Sequence, residues 1–110
     1  MSTAPYAVLI TAGAERGLES IYDYIAEFDS PANADHVLEQ LLQSIRDLGR
    51  VAERGAHPRE LSALGIREYR QVLYKPYRII YRICNQQVHV YLIADGRRDM
   101  QSLLYRRLLG

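Results

Sequence analysis

Residues 76–83 read Pro76-Tyr77-Arg78-Ile79-Ile80-Tyr81-Arg82-Ile83. Branched aliphatic and aromatic side chains suit a pleated, half-buried surface. Proline cannot donate to a ladder, so the strand is predicted to start at Tyr77. Alternation places Tyr77, Ile79, Tyr81 and Ile83 on one face and Arg78, Ile80 and Arg82 on the other. Asn85-Gln86 reads as a tight turn, followed by a strand from Val88 to Ala94. There Val88, Val90, Leu92 and Ala94 are expected to oppose His89, Tyr91 and Ile93. Both sets are largely apolar, which predicts a central strand. On the other side of Lys75-Pro76, Arg67 to Leu73 also has strand character.

Upstream, Val51 to Gly65 carries Gly55, Pro58 and Gly65 without a period and reads as a loop. Before it lie two helical patterns. Leu18, Ile21, Tyr22, Ile25 and Phe28 recur on one helical face, with Thr11 available as cap. Ser30-Pro31 is a start signal, a serine cap with proline at the first helical position. Ala34, Val37, Leu38, Leu41, Leu42, Ile45 and Leu48 form the second stripe, which Gly49 is expected to close. The two helices form an antiparallel hairpin whose stripes require a sheet to cover. Tyr6 to Ile10 reads as a short buried strand. Met100 to Leu109, with Leu103, Leu104, Leu108 and Leu109, reads as a short helix or amphipathic tail. The order is β-α-α-β-β-β-α, an α+β arrangement in one domain over residues 1–110.

Charge is unevenly placed. Residues 66–110 hold nine basic and three acidic residues, a net +6, whereas residues 1–65 hold five and ten, a net −5. The overall +1 hides this split. A basic half seeks an acidic partner or a phosphate backbone. Thirteen of the 14 basic residues are arginine, the side chain suited to bidentate contact with carboxylate or phosphate. The only cysteine, Cys84, excludes an internal disulfide, fits a reducing compartment, and reads as a small apolar strand residue. His36, His57 and His89 lie far apart, and no set of residues has metal-ligand spacing. No segment is long and apolar enough to span a membrane. Met1–Pro5 lacks the features of a secretory signal, and a cytoplasmic protein without cofactor is expected.

The strand Tyr77-Arg78-Ile79-Ile80-Tyr81-Arg82, followed after the last strand by Asp95-Gly96-Arg97-Arg98-Asp99, resembles the RelE/ParE superfamily of toxins from type II toxin–antitoxin pairs. The resemblance extends over nearly the whole chain. It implies a small twisted, mainly antiparallel sheet with the helical hairpin on one face. It also implies a hetero-oligomer with a cognate ParD-like antitoxin, expected to have a ribbon-helix-helix N-terminus and an acidic or amphipathic C-terminal segment. Contact with nucleic acid would then be indirect, through antitoxin or target, in keeping with the acidic first half.

The superfamily has two branches. RelE-like members cleave mRNA on the ribosome, and ParE-like members bind and inhibit DNA gyrase. RNA cleavage requires a base for the 2′-hydroxyl, an acid for the leaving group and cations for the developing phosphorane charge. Similarity to the RelE branch would assign Arg78, Arg98 and Tyr105 to that chemistry. However, segment 51–67 has no lysine, arginine is a poor base, and Tyr105 lies one position beyond the matching one, where Leu104 stands. A one-residue offset on a helix rotates a side chain by roughly 100°. The Gly96-Arg97-Arg98-Asp99 turn with its leucine-rich tail is closer to the ParE branch. That resemblance implies a non-enzymatic gyrase inhibitor, with Arg70, Arg78, Arg82, Arg97, Arg98 and Asp99 as partner-binding residues. One of Arg97 and Arg98 is expected to face the target and the other to pair with Asp99.

Overall fold

In the computed structural model, which describes residues 6–109, β1 (Ala7–Ile10) leads into a hairpin of α1 (Ala12–Phe28) and α2 (Pro31–Val51). Met1–Pro5, on which the absence of a secretory signal was argued, and Gly110 lie outside the described residues. Both predicted caps form. The Thr11 hydroxyl accepts from the Ala14 N–H and the Ser30 hydroxyl from the Asn33 N–H, each satisfying a donor the first turn would leave open. Gly49 does not close α2. The helix runs to Val51 and tightens into a 3-10 turn at Ala52–Arg54. Gly49 instead permits a close approach: its carbonyl accepts from Tyr6, and a Cβ there would lie 3.2 Å from the Tyr6 oxygen.

The segment read as a loop also holds the four-residue α3 (Arg59–Ser62), too short to show a period. Three strands follow: β2 (Tyr69–Tyr74), β3 (Tyr77–Cys84) and β4 (Gln87–Asp95). The chain finishes in α4 (Met100–Leu104) and a π-helical turn at Tyr105–Leu109. The sheet order is β1-β4-β3-β2, with β1 parallel to β4 and the other pairs antiparallel. The strand from Gln87 is thus interior, as its two apolar faces predicted. β1 is an edge strand, not a buried one, and leaves Leu9 and Ile10 44% and 39% exposed.

The hairpin packs on one face of the sheet. Leu18, Leu41, Ile45 and Leu48 meet Ile79, Tyr81, Val88, Val90 and Ile93 in the main core. Each fully buried aliphatic or aromatic side chain contributes roughly 1.5–3 kcal/mol relative to exposure. Phe28, read as part of the covered stripe, is 67% exposed at the end of α1.

The assignment of faces fails in the middle of β4. Ile80 pairs with Leu92 but Tyr81 with Val90, so Tyr91 is an extra residue and the ladder bulges. One inserted residue exchanges the faces of everything beyond it. Val88 and Val90 face the hairpin, and so does Ile93, whereas Leu92 and Ala94 join Ile80 on the opposite face. That face is also covered. Leu61 of α3 and Met100, Leu103 and Leu104 of α4 form a second core over Ile80, Leu92, Ala94 and Tyr69.

Candidate functional site

β3 and β4 together carry the turn at Asp95–Asp99. Tyr77 pairs with Asp95, and Arg78 with Ala94, at the end of the ladder. The Gly96 N–H donates to the Pro76 oxygen at 2.8 Å, which ties the turn to the β2–β3 connection. The Asp95 carboxylate accepts from the Arg97 backbone N–H and Nε at 2.9 Å each, and from its Nη2 at 2.5 Å. The Arg97 guanidinium holds the Asp95 carboxyl below the usual carboxylate range, against the opposing effect of burial. The Arg98 backbone N–H donates to the Asp95 oxygen, and its exposed side chain makes no hydrogen bond or ion pair among the described residues.

Asp99 corrects a prediction. It pairs with neither Arg97 nor Arg98. Its carboxylate caps α4, accepting from the Ser102 N–H at 3.2 Å and the Ser102 hydroxyl at 2.9 Å. The Ser102 backbone bond, then its hydroxyl, lowers the Asp99 pKa. Asp95, four residues earlier, takes the arginine instead, because its position at the strand end lets one carboxylate bind both the backbone and the side chain of Arg97.

The remaining arginines fall into two groups. Arg78 donates from Nη1 and Nη2 to the two carboxylate oxygens of Glu60, both at 2.9 Å, and from Nε to Gln71 at 2.8 Å. The pair is largely withdrawn from solvent, with side chains 13% and 19% exposed. Arg78 lowers the Glu60 pKa, chiefly through these hydrogen bonds. Arg70 turns inward and donates at 3.0 Å to the Glu53 and Gly55 carbonyls. Arg82 is half-buried, opposite Tyr69 and His89 in register, and makes no side-chain bond among the described residues. Tyr105 is 37% exposed in the π turn. His57 is engaged through Nδ1 with the Tyr69 oxygen. The structure therefore gathers Arg78, Arg97 and Arg98 about one turn and separates them from Arg70 and Arg82.

Beside the turn lies an open groove of about 980 Å³ between α1 and the β2–β3 connection. Arg16, Arg97, Arg98 and Arg107 supply cations along it, with Lys75 at the connection. Tyr24 and Phe28 form an aromatic pair in its wall, 66% and 67% exposed with ring centroids 4.8 Å apart. Arg16, Tyr24 and Arg107 escaped the sequence reading. They are distant in the chain, and only the packing of α1 beside β4 assembles them. The i,i+4 spacing of Tyr24 and Phe28 was a local signal that could have identified the pair. No group of residues suited to hold a metal ion occurs among the described residues, and no helix there is long and apolar enough to cross a membrane.

This fold has counterparts in solved toxin–antitoxin assemblies. The chromosomal ParDE toxin–antitoxin system from P. aeruginosa contains a chain that superposes with a TM-score of 0.70 at 18% identity, covering 84% of this chain and 97% of that one. The RelBE2 toxin–antitoxin complex from Mycobacterium tuberculosis contains one with a TM-score of 0.61 at 21% identity, covering 83% and 98%. No curated protein matches the chain in sequence. Residues 8–100 match the family described as ParE toxin of type II toxin-antitoxin system, parDE, and the chain belongs to that family.

Proposed function

We propose that this protein inhibits DNA gyrase by binding, with Arg98 as its principal target-facing cation, and that a cognate antitoxin encoded beside it holds it inactive in the cytoplasm. The observation that carries the binding mode is the division of labour among the arginines. Arg78, at the position a RelE-like nuclease would use, has Nε and both terminal nitrogens committed to Gln71 and Glu60. Arg97 is committed to Asp95. Among the described residues, Arg98 alone of the three presents an unpaired guanidinium, on a turn fixed by a rigid sheet, which is a usual setting for binding residues. The second core over the outer sheet face further supports binding over cleavage, because it occupies the face from which Arg78 projects. The antitoxin is a polypeptide with an acidic or amphipathic segment, complementary to the cationic groove.

Purified protein should inhibit gyrase-catalysed supercoiling, and Arg98→Ala should abolish that inhibition and the growth arrest. Its melting temperature should hardly change, since exposed substitutions alter stability by within about 0.5 kcal/mol. Ribosome-dependent cleavage of mRNA with gyrase unaffected would replace this reading with the RelE-like one.

A further inference from the structure

We propose that Arg78 is a positioning residue: its bridge from β3 to Glu60 of α3 pins its aliphatic stem beneath Gly96 and thereby holds the Asp95–Asp99 turn in the form that presents Arg98. The inference rests on the target-facing role given to Arg98 above. It explains why the strand arginine and the turn glycine occur together in this chain.

Gly96 is required here by space. A Cβ at that position would lie 2.8 Å from Arg78 Cδ, 3.0 Å from Cγ and 3.2 Å from the Pro76 oxygen. The stem and the turn backbone are thus packed with no room for a methyl group. The stem cannot swing away, because its far end is held by two oxygens of Glu60 and by Gln71. A bidentate arginine–carboxylate pair fixes orientation as well as distance. The bridge is largely shielded from solvent, where such a pair is screened much less than at the surface.

The turn is held from both sides of the sheet. Asp95 shares the hairpin side with Tyr77 and grips Arg97, while Arg78 closes the opposite side. Between these fastenings Gly96 is tethered to Pro76 and Arg98 to the Asp95 carbonyl. The Arg98 side chain is then the group left to meet a partner. Arg78 acts through the turn and need not touch the target.

The decisive measurement is amide hydrogen exchange on the free full-length protein, which involves no target. Arg78→Met keeps the stem but removes its anchor. Exchange at the Gly96 and Arg98 amides should accelerate at least tenfold, with Ile45 in α2 unchanged. Arg78→Lys restores a charge that can reach Glu60 and should return both amides to within threefold of wild type. Gly96→Ala approaches the contact from the other side and should produce the same local acceleration, which keeps the test valid if Arg78→Met does not fold. Gyrase inhibition should fall at least tenfold in Arg78→Met and recover in Arg78→Lys. Unchanged exchange at Gly96 and Arg98, or acceleration that includes Ile45 equally, overturns the positioning role. If wild-type protein leaves gyrase uninhibited, the target reading falls, while the exchange data still decide whether Arg78 holds the turn.

Discussion

Replacing Tyr81 by phenylalanine removes one oxygen atom from the centre of the molecule. Tyr81 is fully buried, and its hydroxyl donates to the Ala52 oxygen. Burial, the largest cause, raises its pKa, so the hydroxyl remains a donor at neutral pH. The substitution leaves the buried Ala52 carbonyl without this partner. One unsatisfied buried group costs about 1–3 kcal/mol, and we expect a loss in that range. At the usual unfolding entropy per residue, a 110-residue domain loses about 4 °C per kcal/mol, giving a drop of about 4–12 °C. Gly55 makes the test sharper. Its φ of −66° and ψ of 151° suit any L-residue, so alanine there meets no backbone strain. Its added Cβ would instead collide with the Tyr81 oxygen and lie 2.8 Å from the Gln71 carbonyl. Such overpacking costs about 1–3 kcal/mol. In the Tyr81→Phe background the oxygen contact is gone, while the approaches to the ring carbon Cζ at 3.0 Å and to the Gln71 carbonyl remain, so Gly55→Ala should cost about 1 kcal/mol less there, within the range seen for contacting residues. Thermal and urea unfolding of the four proteins measures the coupling. Additivity within about 0.5 kcal/mol would refute the proposed contact.

Two other outcomes follow from the charged groups. Glu60 has a depressed folded-state pKa, so its contribution is complete above its unfolded value of about 4.3 and is lost as pH falls through the folded value. Glu60→Gln should therefore be less stable than wild type at pH 7, and the difference should shrink on acidification; a gap independent of pH would rule out the ion pair as its source. Asp99→Ala should lower the melting temperature by uncapping α4, which covers the second core, and circular dichroism that shows no earlier helix loss would count against that role.

Local chemistry was legible wherever a residue acts on its near neighbours. Thr11, Ser30 and Pro31 marked helix starts because capping spans only three residues. Lys75-Pro76 and Asn85-Gln86 marked the two strand connections. The pairing of Arg97 with Asp95 was missed although it is also local, because Asp99 offered a carboxylate at a similar distance along the chain. Only the backbone at the strand end shows which carboxylate faces the guanidinium. The family resemblance lay in the strand and turn residues themselves, and it carried the fold further than periodicity could.

The sequence by itself determined the order of the strands and the long helices, the helical hairpin, the interior position of the last strand and the concentration of arginines in the second half. These follow from repeating apolar spacing, from capping and turn residues, and from charge counted along the chain. The tertiary structure alone decided how the arginines are used. The bulge at Tyr91 inverted the faces of half a strand, α3 and α4 closed the outer sheet face, and Glu60 engaged Arg78 from 18 residues away. Which cation remains free depends on carboxylates brought near by packing, and sequence separation carries no record of that distance.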